Sequence, residues 1–223
     1  IDCQFLQCVE APSGHAIIQV TPSGENAIVL FGGANQEIGS KEILHALDKA
    51  RPSDWVLTQN ETSGLAETLQ QAKQKHIKVA FNPAPMSESV KSLPHECIDL
   101  LIVNEVEAAE LSGEQELDAI IEHYKTQWSH AEVIITLGKA GVIMLKNQQT
   151  IQVDAFVVDA VDTTAAGDTF IGYFLAAYSQ HADARQALKR ACAASAISVT
   201  RAGAAQSIPA AKEVDRFLAK HTG

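Results

Sequence analysis

Long apolar runs are missing from this chain. No stretch approaches the ~20 residues needed to cross a bilayer, and the opening IDCQFLQCVE has no basic region followed by an apolar core. Both absences set the expectation of a soluble, cytoplasmic protein. Cysteine is sparse: Cys3, Cys8, Cys97 and Cys192 form no C-x-x-C pair and have no histidine partners at zinc spacing. That argues against a disulfide framework or a structural metal site, and for reduced thiols. Positive charge is also short, with 17 Lys and Arg against 27 Asp and Glu, a formal net charge of −10 and a pI near 5.2. Neither nucleic acid nor an anionic membrane rewards such a surface, so both are excluded as general partners. Internal repeats, low-complexity tracts and linkers are absent as well. What is present is 223 residues at 46% hydrophobic composition, enough for one sizeable core.

Apolar and polar residues alternate over 15–21 (HAIIQVT) and 26–31 (NAIVLF), which predicts two strands joined by a turn at 22–25 (PSGE). After Gly39 the pattern changes to helix and strand in turn. A helix is expected from Ser40 to about Ala50, a strand at 55–58, a helix at 64–75 and a strand at 77–81. Strands at 98–103 and 133–137 follow, with a helical stretch at 117–128 between them and a further strand pair opening at 141–145. The segments 167–179, 183–200 and 210–220 read as mainly helical. This alternation predicts an α/β fold with buried parallel strands, divided into a hairpin segment at 1–36 and an α/β domain at 37–223.

One nonapeptide carries most of the chemistry: DTTAAGDTF, residues 162–170. Val157 and Val158 read as the end of an apolar strand before it. FIGYFLAA (170–177) reads as a helix after it, which puts Ala165, Ala166 and Gly167 at the helix N-terminus. Unpaired N–H groups and the positive end of the helix dipole suit an anion there, and side chains this small let phosphoryl oxygens approach. Asp168, beside the turn, is placed to take a proton from an attacking hydroxyl. The same residues also fit a plain strand, turn and helix capped by Thr163 or Thr164, with Gly167 serving backbone freedom. Open parallel sheets bind ligands beyond the carboxyl ends of their strands. Asn104 follows the strand ending at Val103, Gly138 follows the one ending at Leu137, and the nonapeptide follows the one ending near Val158. Three strand ends thus point to one crevice. Read singly, Asn104 and Glu107 also make a capping box, and TLGKAG a tight turn.

The nonapeptide resembles the signature of the ribokinase family, the phosphofructokinase B-type carbohydrate kinases. NEVE (104–107) is similar to the family's N-x-x-E element, TLGKAG (136–141) to the segment lining its nucleotide site, RAGAAQS (201–207) to its monovalent-cation loop, and FNPAP (81–85) to a strand-end phrase. These matches follow the family's order from about Ser13 to the C-terminus. The resemblance implies a three-layer αβα fold with a mainly parallel sheet and the N-terminal hairpin as a partial lid. It implies transfer of the γ-phosphoryl group of ATP to a primary hydroxyl of a sugar, most simply D-ribose giving D-ribose 5-phosphate. Asp168 would be the base, and Ala165, Ala166 and Gly167 the anion hole. Asn104 and Glu107 would organise magnesium, water and phosphate oxygens. Thr136, Gly138, Lys139, Ala140 and Gly141 would run along the nucleotide, with Cys192 beside the adenine where ribokinases often carry a histidine. Asp162, Thr164, Ser198, Arg201, Gly203 and Ser207 would surround a potassium ion, largely through carbonyl oxygens, although Arg201 also fits an ordinary helix-end cation. Glu61 would face the sugar, and the N-terminal β segment would form a homodimer contact.

The chain also departs from the family. The opening strand, the G-x-x-x-D-like segment and the G-G-K-x-x-N stretch have no counterpart, so the resemblance is to the C-terminal two-thirds of a ribokinase, with an uncovered sheet edge. GGAN at 32–35 reads as a turn. A sugar kinase is the favoured reading; a nucleotide-binding module without turnover and an assembly protein pairing through that edge are the others. The shared motifs handle phosphate and leave another pentose, a deoxysugar, fructose phosphate or a nucleoside open as substrate.

Overall fold

The computed structural model describes residues 2–20, 26–181 and 183–221. The turn expected at 22–25 lies outside them. The chain forms two compact units, Ile1–Leu101 and Ile102–Gly223.

In the first unit, β1 (His15–Val20) and β2 (Asn26–Phe31) pair antiparallel in the register His15↔Phe31 to Val20↔Asn26. A 3₁₀ turn at Gly33–Gln36 follows, in keeping with the turn read at GGAN. Helix α1 (Ser40–Leu47) starts after Gly39, whose N–H donates to the Glu42 carboxylate at 3.2 Å, and buries Ile43 and Leu47. Helix α2 (Leu65–Gln74) buries Leu65, Leu69 and Ala72, the spacing of a single apolar face. Strands β3 (Trp55–Gln59), β4 (Lys78–Asn82) and β5 (Leu100–Asn104) lie side by side in that order, and both pairings are parallel. Val79, Ala80 and Phe81 are buried in succession, as a strand covered on both faces requires.

In the second unit, residues 102–104 end β5 beside β6 (Glu132–Thr136), and β7 (Val142–Lys146) and β8 (Gln149–Val153) extend β6 as an antiparallel meander. Asn147 and Gln148 turn between β7 and β8 at φ 49° and 64°, the pair of left-handed residues that a two-residue hairpin loop needs. The helices are α3 (Glu105–Ser112), α4 (Leu117–Gln127), α5 (Ala166–His181), α6 (Ala184–Ser198) and α7 (Ala211–His221). Asp183 caps α6 by accepting the Gln186 N–H at 3.0 Å. Ala187, Ala191, Ala193 and Ala194 are buried along α6, small enough to bring it close to α5 and α7. Among the described residues no helix is long and apolar enough to cross a membrane.

One expectation fails here. No strand ends at Val157 and Val158: β8 stops at Val153, and residues 154–160 have no regular structure, with Val157 99% exposed. The β7–β8 ladder finishes at Val142↔Val153, so the residues that follow have no strand to pair with. Helix α3 was legible from sequence only as a cap at Asn104.

Candidate functional site

Helix α5 begins at Ala166, and the Ala165 carbonyl accepts its first helical bond from the Thr169 N–H at 2.9 Å. Ala165 itself sits at φ 58°, a left-handed conformation that costs an L-residue about 1–2 kcal/mol. Gly167 needs no such freedom. Its φ is not positive, and an added Cβ would meet nothing within 4 Å. The strain of the turn therefore sits on the alanine, and the glycine leaves open space at the helix start. Of the amides named from sequence, that of Ala166 already donates to the Thr163 carbonyl at 3.2 Å. The Gly167 N–H lies in the first turn, where α5 itself offers no acceptor. Asp168 follows in the same turn and is exposed. Thr169, next along, is buried, and its hydroxyl has no hydrogen-bond partner.

Asp162 anchors the turn. Its Oδ1 accepts the Thr164 N–H and its Oδ2 the Gly203 N–H, each at 2.9 Å. These bonds, Gly203's first and then those of Thr164, hold the Asp162 carboxyl below the usual carboxylate range. The Val161 and Asp162 amides both donate to the Val199 carbonyl, at 2.7 and 3.1 Å. The Ser198 carbonyl accepts the Arg201 N–H at 3.0 Å, and Ser207 donates from its hydroxyl to the Ala204 carbonyl at 2.7 Å. The Arg201 guanidinium pairs with Glu213 of α7 and donates to the Ser207 carbonyl at 3.5 Å. The structure thus ties Thr164 and Gly203 to Asp162, and Ser198 and Ser207 to Arg201, whose guanidinium is neutralised by a carboxylate.

A cavity of about 460 Å³ opens beside the start of α5. Thr163, Ala166 and Gly167 line its helix-start side, and Phe170 lies one turn further along α5. Thr136, Gly138, Lys139 and Gly141 contribute from the end of β6 and the turn after it; Ala140 does not line it. Cys192 and Ala196 come from α6, and Phe156, Val157 and Val158 from the irregular segment after β8. Amide donors and a lysine thus share one cavity with an extended apolar wall. Burial pushes the Cys192 thiol up to about 12, so it stands in that wall as a neutral group. Gly141 lines the cavity and also answers the turn: at φ 104° a Cβ there would lie 2.2 Å from the Val153 carbonyl oxygen, so the chain's own fold requires glycine. TLGKAG is therefore both the tight turn and a piece of the cavity lining.

Asn104 and Glu107 form the capping box of α3. The Asn104 N–H donates to Glu107 Oε2 at 2.9 Å, and the Glu107 N–H donates to Asn104 Oδ1 at 2.8 Å. Neither lines the cavity. Glu61 belongs to the first unit, in the turn after β3, and α2 begins only at Leu65, so it does not open that helix. Its carbonyl accepts the Gln36 side-chain amide at 2.9 Å. Sequence reasoning missed Phe156, Val157, Val158, Phe170 and Ala196 as lining residues. The signal was the apolar run AFVV at 155–158, which was assigned to a strand.

The family model for pfkB family carbohydrate kinases matches residues 1–211. This chain belongs to that family. A ribokinase from Haemophilus influenzae is 38% identical over 231 residues, covering 98% of this chain and 73% of the relative. Among solved structures, ribokinase from Thermotoga maritima superposes with a TM-score of 0.83 at 36% identity, over 95% of this chain and 71% of that one. Ribokinase from Arabidopsis thaliana, solved with ribose and ATP, gives 0.81 at 28% identity, over 94% and 70%. The pfkB chain therefore has the ribokinase-like α/β fold, with a sheet that is parallel over β3, β4 and β5 and antiparallel over β6, β7 and β8, and a small antiparallel hairpin near the start. It is a sugar kinase, a phosphotransferase.

Proposed function

We propose that this pfkB family kinase transfers the γ-phosphoryl group of ATP to a primary hydroxyl of D-ribose, giving D-ribose 5-phosphate. The observation that carries the reading is the cavity in which the α5 start and an apolar wall face the same space. Phosphate suits the helix start, through the dipole and the Gly167 N–H, and an adenine ring suits the wall of Phe156, Val158 and neutral Cys192. The Arabidopsis relative bound to ribose and ATP supports the choice of both substrates. Asp168, in the first turn, takes the proton of the attacking hydroxyl, a role that contributes about 10²–10⁴-fold where a side chain fills it. The turn bonded through Asp162 keeps the Ala165–Gly167 backbone oriented before substrate arrives, so little reorganisation is needed during transfer.

The remaining donors suit hard cations. Among the described residues, no group of three or more His, Cys, Asp or Glu side chains is placed to hold a metal ion by itself. A magnesium ion riding on nucleotide phosphates needs only one or two carboxylates, and Glu107, oriented by its capping box with Asn104, would hold it. When bound, magnesium neutralises charge on the phosphoryl oxygens. Asp162, Thr164, Ser198, Arg201, Gly203 and Ser207 offer oxygen donors of the kind potassium takes. Glu61 is the sugar-side carboxylate. The reaction belongs in the cytoplasm, and the hairpin of β1 and β2, where Ile17 and Val29 stand opposite each other and largely exposed, serves as lid segment and homodimer contact.

The test is ADP release from the purified protein with Mg-ATP and ribose, with and without potassium, alongside a thermal-shift titration with ATP. Ribose-dependent turnover that falls about 10²–10⁴-fold in Asp168→Asn, with ATP binding kept, is the expected result. ATP stabilisation without turnover on any sugar would refute the kinase assignment, and normal turnover in Asp168→Asn would refute the base.

A further inference from the structure

Phe156 stands in the apolar wall of the cavity, yet it belongs to a segment with no strand or helix to hold it. It packs on the buried cluster of Ala193, Ala194 and Ile197 of α6 and Val214 of α7, and its ring is met edge-on from α7. The Phe217 ring meets Phe156 edge-on, with centroids 5.1 Å apart and planes at 78°. His221 meets Phe156 in the same way at 5.5 Å and stacks on Phe217 at 4.1 Å, with its Nδ1 2.8 Å from the Phe217 carbonyl oxygen. Neither Phe217 nor His221 lines the cavity. Helix α7 is itself fastened at several points. Val214 is fully buried with Ala193, Ala194 and Ile197 of α6, Asp215 pairs with Arg190 at 2.6 Å, and Glu213 pairs with Arg201. Just ahead of α7, the Pro209 carbonyl accepts the Tyr173 hydroxyl of α5 at 2.5 Å.

We propose that Phe217 is a positioning residue for the nucleotide: from the C-terminal helix, and without touching the ligand, it holds Phe156 as a fixed wall and thereby sets affinity for the base. This inference rests on reading the cavity as the ATP site. A ring already locked by an edge-on partner loses no further rotamer freedom when a base settles against it. A ring free to turn must be ordered at the expense of binding. The phosphate end of the site, at the start of α5, lies on a different element and is reached by a different set of contacts. Phe217 therefore acts on nucleotide binding and leaves the transfer step alone.

The experiment is steady-state kinetics on the full chain for Phe217→Ala, Phe217→Leu and Asp215→Asn, with melting temperatures measured in parallel. Phe217→Ala should raise KM for ATP about two- to tenfold while kcat and KM for the sugar stay within about twofold. Phe217→Leu, which keeps apolar bulk, should recover much of the affinity, and it carries the test if the alanine variant does not fold. Asp215→Asn removes one fastening of α7 while both rings and the buried Val214 stay, and should change KM for ATP less than Phe217→Ala does. A Phe217→Ala enzyme with unaltered KM for ATP refutes the inference. So does a common fall in every parameter that follows melting temperature across all three variants, since that is the signature of a merely structural helix. Wild-type protein that neither binds ATP nor turns over would refute the cavity assignment and this inference with it. A working wild type with an indifferent Phe217→Ala refutes the inference alone.

Discussion

Replacing Gly141 with alanine would drive a methyl group into backbone. The residue sits at φ 104° and ψ −133°, and its Cβ would come within 2.2 Å of the Val153 carbonyl oxygen and 2.8 Å of Ala155 N and Asp154 Cα. None of these atoms can swing aside as a side chain would, so the end of the β7–β8 ladder at Val142↔Val153 must open. The backbone conformation costs about 1–3 kcal/mol for a residue with a Cβ, and forced overpacking about as much again. A loss of about 2–6 kcal/mol is a large share of the ~5–15 kcal/mol that usually stabilises a fold. A chain of this size should melt at least about 4 °C lower. Because Gly141, Ala155 and Phe156 all line the cavity, the stabilisation conferred by ATP should shrink as well. Two neighbours calibrate the effect. Gly138→Ala meets no atom within 4 Å at φ 53° and should cost only about 1–2 kcal/mol. Gly167→Ala, with no clash and no positive φ, should melt as high as wild type or higher; on the function proposed above, its methyl group would stand where phosphate approaches and weaken ATP binding. Thermal and urea unfolding of the three variants measures the series. A Gly141→Ala protein that melts within about 2 °C of wild type, or one less affected than Gly138→Ala, would refute the reasoning.

Asp162 has a folded-state pKa lowered by the Gly203 and Thr164 hydrogen bonds, so its contribution to stability is complete above the ordinary carboxylate range and disappears as pH falls through the lowered value. Wild type should out-melt Asp162→Asn at pH 7 and converge with it below about pH 3; a gap that does not change with pH would contradict the assignment. The Tyr178 hydroxyl donates to both Glu132 oxygens at 2.7 Å, and Lys146 reaches Glu132 Oε1 at 2.9 Å. Burial, foremost, pushes the Tyr178 phenol up to about 12, so it remains a donor at any physiological pH. Tyr178→Phe should cost about 1–2 kcal/mol in urea unfolding, and an unchanged midpoint would show that the hydroxyl contributes nothing. Iodoacetamide at pH 8 should label exposed Cys3 and Cys8 first and spare Cys97 and Cys192, whose thiols burial raises. Peptide mass spectrometry checks the order, and early labelling at Cys192 would show that the cavity wall opens.

Local chemistry was legible where it was self-contained. The apolar face of α2, the apolar runs of the buried strands, the Asn104–Glu107 box and the start of α5 all depend on residues within a few positions of one another. The segment after β8 was misread because two adjacent valines look like a strand until the partner strand is counted, and β7 has no residue left to offer them. The turn reading of TLGKAG was legible, but the reason Gly141 must be glycine was not, because a sequence does not show that Val153 passes 2.2 Å from its missing Cβ. The Phe156–Phe217 contact joins positions far apart in the chain with no motif at either end, so no spacing rule could reach it. Strain fell on Ala165 where Gly167 was the obvious host, because the left-handed residue precedes the helix and the glycine lies within it.

The meander of β6, β7 and β8 has a consequence for the order in which the protein is made. Each strand pairs with its neighbour in the chain, short loops close at little entropic cost, and a hairpin forms in about 1–10 μs. A ribosome adds only about 5–20 residues per second. The Gly138–Gly141 side of the cavity can thus be in place before α7 has emerged. Phe156 waits for α7, which follows α5 and α6 in the chain, so newly made chains pass through a state with a formed Gly138–Gly141 turn and an unlocked Phe156 wall, and tight ATP binding should appear only once α7 has emerged.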